Sequence, residues 1–109
     1  MGVTVVRYKT KPDRANENQA LIEKVFGELN GNRPSGLRYA SFRLADGVSF
    51  VHVASVDTDD GTNPLTATPA FAEFLREIKE RCEEAPLASD ATVVGSYRFW
   101  PADGGSVSS

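Results

Sequence analysis

Hydrophobic and polar positions alternate along four stretches of this chain and recur at helical spacing along two others. The alternating runs, Val3 to Lys9, Leu37 to Leu44, Val48 to Val56 and Ala91 to Trp100, predict strands. Between the first two, Leu21, Ile22, Val25, Phe26 and Leu29 fall on one face of a helix that begins near Arg14. Asp13 is the expected N-cap, accepting from free amides of the first turn, and Asn30-Gly31 the expected stop. Before the last run, Thr68-Pro69 supplies a capping residue followed by proline at the first helical position. From there Phe71, Phe74, Leu75, Ile78 and Cys82 form one stripe, so the second helix is expected to reach about Cys82, with Glu77 and Arg81 as an i, i+4 ion pair.

Asp46-Gly47 separates two of the alternating runs and predicts a hairpin with a type I′ turn, which needs positive φ at both central residues. Pairing then follows by arithmetic, with Ala45 opposite Val48 and one more pair at each step outward. One face of the hairpin carries Leu44, Phe42, Ala40, Ser49, Val51 and Val53. The other places Arg43 beside Phe50, Ser41 beside His52, Tyr39 beside Ala54 and Leu37 beside Val56. Aromatic, hydroxyl, guanidinium and imidazole groups mixed in this way suit a lined cavity better than a plain core.

The element order is strand, helix, strand, strand, helix, strand. It predicts an α+β domain of the ferredoxin-like βαββαβ type, a four-stranded antiparallel sheet with both helices on one face. Both hairpin faces carry bulky apolar side chains, so the face without helices calls for a partner, most simply a second copy of the chain.

A chain of 109 residues makes one domain, expected over 1–101, with a polar tail over 102–109. At net charge −3, with Lys and Arg scattered singly, nucleic acid is not an expected partner. No apolar run has the length of a membrane span, and the N-terminus has no signal-peptide pattern. The single cysteine cannot form an internal disulfide, which suits a cytoplasmic setting. A lone histidine argues against a histidine-based metal site, which draws several ligands together, and with no glycine-rich phosphate loop, nucleophile elbow or Cys-x-x-Cys, no cofactor is expected.

Together with the element order, three local patterns carry a resemblance to a known family. They are the opening strand leading through Lys11-Pro12-Asp13 into a helix, the strand FVHVASV, and TPAFAEFLREI at the start of the second helix. The chain resembles the dimeric α+β barrel superfamily, and within it the small proteins related to antibiotic biosynthesis monooxygenases. The resemblance implies two sheets facing each other across a dimer, and a pocket in each subunit between sheet and helices. It also implies two departures: Val56 stands where the family has a characteristic tryptophan, and Leu65 where it has a histidine. If Val56 lines the pocket, then Ala54, His52 and Phe50 do too, with Tyr39, Ser41 and Arg43 alongside and Phe74 from the second helix. Phe42, Val51, Val53 and Ala40 would then fill the space between subunits.

These residues form the expected ligand site: Tyr39, Ser41, Arg43, Phe50, His52, Val56 and Phe74. His52 reads either as a general base or donor in an apolar pocket, or as a buried neutral ring bonded to Ser41. Tyr39 and Tyr97 offer phenols to a polar ligand; Cys82 reads as a small core residue. Two functions follow. One is a module that binds a small aromatic or apolar molecule without chemistry, which loss of both family side chains favours. The other is a cofactor-free monooxygenase or isomerase-like enzyme acting on an aromatic or polyketide-like molecule. No catalytic residue is assigned.

Overall fold

The computed structural model describes residues 2–99. Four strands, β1 (Gly2–Thr10), β2 (Leu37–Arg43), β3 (Ser49–Val56) and β4 (Cys82–Ala91), form one antiparallel sheet in the order β2-β3-β1-β4. A 3-10 turn over Pro12–Arg14 leads into α1 (Ala15–Asn32); α2 (Pro69–Leu75) and α3 (Ile78–Arg81) precede β4. This is the ferredoxin-like α+β arrangement. Its core lies between the helices and one sheet face, where Tyr8 and Phe50 meet Ile22, Val25, Phe74 and Ile78.

The hairpin has the expected register, from Leu37 opposite Val56 to Arg43 opposite Phe50. Its turn is of a different kind. Gly47 alone is left-handed, at φ +78°, while Asp46 keeps negative φ. Gly47 N–H closes the turn on the Leu44 carbonyl at 2.9 Å, with Ala45 and Asp46 as its central residues. The Asp46 carboxylate accepts from the Val48 and Ser49 amides and the Ser49 hydroxyl. Those bonds hold its pKa down at about 2. An aspartate that caps the following strand has no need of positive φ, which a non-glycine residue adopts only at a cost.

Three boundaries differ from the sequence expectation. Asp13 lies inside the 3-10 turn instead of capping α1, and α1 runs on to Asn32, where left-handed Arg33 returns its N–H to the Leu29 carbonyl. The second helix breaks after Leu75: Arg76 is extended and Glu77 is left-handed at φ 61°. Arg81 stabilises the break, donating to the Phe74 carbonyl at 2.6 Å and the Arg76 carbonyl at 3.1 Å. The expected Glu77–Arg81 ion pair therefore does not form.

The last strand is the largest correction. It occupies Cys82–Ala91, and residues 92–99 are not strand. Ala91 already pairs with Val3, one residue from the start of β1, and among the described residues the ladder ends there. Cys82 opens β4 opposite Thr10 instead of closing a helix, though it is buried as expected. Tyr97 is exposed and takes no part in the cavity. Trp100 and the expected tail lie outside the described residues.

Candidate functional site

The sheet face that meets the helices is the one carrying His52. Even-numbered positions of β1 and β3 put Tyr8, Phe50 and His52 inward, and Tyr39 comes from β2. Over this wall α2 lays Phe71 and Phe74, because Pro69 starts the helix so that both face the sheet. Between them lies a cavity of about 210 Å³. Its lining is mainly apolar, with Val6, Ala54, Val56, Leu65, Phe71 and Phe74 the principal side chains, and no charged residue borders it.

Four of the seven expected site residues, Tyr39, His52, Val56 and Phe74, line this cavity. Ser41, Arg43 and Phe50 do not. They border a separate groove toward the hairpin turn, beside Gln19, Ile22 and Phe26 of α1. Strand length separates the two sets: Arg43 lies four residues along β2 from Tyr39, and each residue advances the strand by about 3.3 Å. The Arg43 guanidinium is taken up by Asn16, Gln19 and the Gly47 carbonyl, so it braces the hairpin against α1. Phe50 is core, stacked on Tyr8 at 5.5 Å between centroids.

His52, only 5% exposed, is bonded at both ring nitrogens. Nε2 meets the Tyr8 hydroxyl at 2.8 Å; Nδ1 meets the Tyr39 hydroxyl at 2.6 Å and the Ser41 hydroxyl at 2.9 Å. Loss of water pushes its pKa down to about 4, so the ring is neutral at pH 7. Burial likewise raises the phenols of Tyr8 and Tyr39. Behind Tyr8 the network continues inward: Asn18 Nδ2 donates to the Tyr8 oxygen at 2.9 Å, and Arg81 Nε donates to Asn18 Oδ1 at 3.1 Å. Arg81 is 2% exposed and also lies over the Phe74 ring, 5.4 Å from its centroid.

Sequence reasoning missed Tyr8, Asn18 and Arg81. Asn18 had a readable signal, since Ala15, Asn18, Ile22 and Val25 share one helical stripe and a lone amide there must find a polar partner. Arg81 gave none, because its position depends on the helix break at Glu77. Among the described residues no three His, Cys, Asp or Glu side chains converge as metal ligands, and no helix is long and apolar enough to cross a membrane.

No protein-family model matches the sequence, and neither does any curated protein. Solved structures do match in fold. A proposed antibiotic biosynthesis monooxygenase from Nitrosomonas europaea superposes with a TM-score of 0.71 at 16% identity, covering 87% of this chain and 100% of its own. A protein of unknown function from the same organism, NE2512, gives 0.68 at 13% identity, with coverage of 93% and 95%. SnoaB from Streptomyces nogalater, a cofactor-independent oxygenase, gives 0.64 at 16% identity, with coverage of 89% and 96%. The chain thus has the fold of antibiotic biosynthesis monooxygenase-like proteins, a fold shared by named oxygenases and by proteins without an assigned reaction.

Proposed function

We propose that this protein is a homodimer in which each subunit binds one small, flat, mainly apolar organic molecule in the cavity between the sheet and α2. The observation that carries the reading is the cavity itself: aromatic and aliphatic walls, no charged residue, and hydroxyl and imidazole groups gathered on one side. Binding without chemistry is the first reading because of how His52 is engaged. A neutral imidazole has one lone pair, and both ring nitrogens already have partners. Its lowered pKa also makes it a weak base. The second reading, a cofactor-free oxygenase, draws support from the shared fold with SnoaB.

Native mass spectrometry of the freshly purified protein is expected to reveal a bound species of low mass, released on denaturation. Phe74→Trp, which fills the cavity from α2, should reduce its occupancy at least tenfold. Full occupancy in that variant would remove the cavity from the proposal. Oxygen consumption upon adding the identified molecule would favour the oxygenase reading instead.

The dimer rests on the opposite sheet face. Val5, Ala40, Phe42, Val51 and Val53 lie there with no helix over them, and Phe42 is 44% exposed in the single chain. A second copy offers the same apolar strip and is the partner of matching chemistry. Val53→Asp is expected to convert the dimer to monomer, because burying an unpaired carboxylate costs several kcal/mol. Light scattering at micromolar concentration reads the result, and an unchanged mass would overturn this placement of the interface. A cytoplasmic setting is proposed with it, supported by the buried, unpaired Cys82.

A further inference from the structure

The hydrogens on the polar wall of the cavity can be counted from its innermost member outward. Arg81 has hydrogens to give and no acceptor, so its contact with Asn18 runs from Nε to Oδ1. That orients the amide, and Nδ2 on its other arm donates to the Tyr8 oxygen. Tyr8 is 2% exposed, and its other partner is His52 Nε2. Were the ring proton on Nε2, the Tyr8 oxygen would receive two hydrogens; Tyr8 borders the cavity but is 2% exposed, so its own hydrogen would find no acceptor among the protein groups packed around it. Such an orphaned donor is costly, so the opposite arrangement prevails. Tyr8 donates to Nε2, and the proton of neutral His52 sits on Nδ1.

On the far side of the ring that choice leaves a surplus. Nδ1 now has no lone pair, so neither the Tyr39 nor the Ser41 hydroxyl can donate to it. Three hydrogens, from Nδ1, Tyr39 and Ser41, face two oxygens. The Nδ1 hydrogen and one hydroxyl hydrogen can be accepted within the triangle, and the last one cannot. Tyr39 makes the shorter contact with Nδ1, 2.6 Å against 2.9 Å, and its oxygen also takes the Ser41 hydrogen bond, so the hydrogen left over is Tyr39's own. Tyr39 borders the main cavity, while Ser41 borders the groove toward the hairpin turn.

We propose that Asn18, oriented by Arg81, is a positioning residue that holds His52 as the Nδ1–H tautomer through Tyr8, so that Tyr39 donates a hydrogen bond into the cavity and selects a ligand with a carbonyl oxygen. This rests on the reading of the cavity as a ligand site and names the chemistry it prefers. The ligand is neutral, because no cationic side chain lines the cavity to balance an anion there. The aromatic rings of Phe71 and Phe74 and the small Ala54 suit a flat skeleton around that oxygen.

The test uses two probes of one shape, 2-acetylnaphthalene and 2-isopropenylnaphthalene, which differ by a carbonyl oxygen in place of a methylene group. Calorimetry on the whole protein is expected to give about three- to tenfold tighter binding of the ketone, the worth of one net hydrogen bond. Nitrogen-15 NMR of the ring should show the proton on Nδ1. In Asn18→Asp the carboxylate keeps Arg81 but has no hydrogen to give, so Tyr8 donates to it. His52 then donates from Nε2 to Tyr8, and Nδ1 accepts from Tyr39. The ring proton should move to Nε2 and the preference for the ketone should fall to about one. Tyr39→Phe should abolish the preference while the ring proton stays on Nδ1, which keeps the test available if Asn18→Asp folds poorly. A wild-type ring protonated at Nε2, or a ketone preference that survives either substitution, would overturn the proposal. If neither probe binds, the cavity reading falls and the selection with it, while the ring spectrum decides the tautomer independently.

Discussion

Replacing Arg81 with methionine is expected to lower the stability of the domain by about 3 kcal/mol, read as a drop in the urea unfolding midpoint. The guanidinium is almost wholly buried and makes three hydrogen bonds, to Asn18 Oδ1, the Phe74 carbonyl and the Arg76 carbonyl. Methionine matches much of the stem volume but donates nothing, so the Asn18 and Phe74 oxygens lose their donor away from water. Each such orphaned group costs about 1 to 3 kcal/mol, offset in part because the charge no longer has to be desolvated. The Arg76 carbonyl is less enclosed and can turn to solvent. The same substitution removes the side chain that donates to the carbonyls at the end of α2 before Glu77 turns left-handed, so hydrogen exchange should quicken over Phe74 to Arg81 more than over α1. Arg43→Met is the comparison. Its guanidinium also makes three hydrogen bonds, but at an exposed site where water replaces them, and the loss should stay within about 1 kcal/mol. Equal losses for the two variants would show that burial does not set the worth of Arg81.

What the sequence made legible divides along a physical line. The hairpin register, the buried stripe of α1 and the strand β1 all follow from periodicity, since one face of each is buried and a shift of one residue would expose it. The last strand was misplaced because propensity and pairing disagree there. Cys82–Ala91 contains two glutamates, a proline and no β-branched residue, and so reads as poor strand. Such a composition is tolerated on an edge, and Pro86 lies at a point where the register with β1 shifts, so that its missing N–H breaks no ladder. Thr92 to Phe99 has the better strand composition, but the ladder with β1 ends at Ala91 opposite Val3. Strand identity was therefore decided by where β1 begins, which is a tertiary fact.

The candidate site shows the same division. Tyr39, Ser41 and His52 were legible as neighbours because hairpin arithmetic alone sets them side by side. The inner half of the network was not, because Tyr8, Asn18 and Arg81 come from β1, α1 and the end of α3, and only the packing of helices on the sheet brings them together. Arg81 in particular sat on the polar side of an assumed continuous helix. The break at Glu77 turns the chain so that the guanidinium enters the core.

Stability is expected to fall by about 2 kcal/mol between pH 7.5 and pH 5, and the cause is His52. Its pKa in the folded chain is about 4, against 6.5 for the free imidazole, because burial penalises the charged ring. The sign follows from which state takes up the proton first. Between these values the unfolded chain binds a proton at His52 and the folded chain does not, so stability is complete above 6.5 and is lost as the pH falls toward 4. Below about 4 both states are protonated and the loss levels off at about 3 kcal/mol, the free-energy equivalent of the shift. Carboxylates do not obscure the upper part of this window. Glu17, Glu73, Asp46 and Asp60 all have lowered pKa values in the fold, and their unfolded values of 4.5 and 3.8 place their losses at lower pH. Urea unfolding at fixed protein concentration, repeated at half-unit intervals from pH 7.5 to 4.5, measures the slope. His52→Phe should be less stable at pH 7, since the Tyr8, Tyr39 and Ser41 hydroxyls lose their ring partner, yet should show an almost level profile down to pH 5. A wild-type profile equally level over that range would mean that the ring reaches water in the folded protein, and the closed wall of the cavity would have to be redrawn around it.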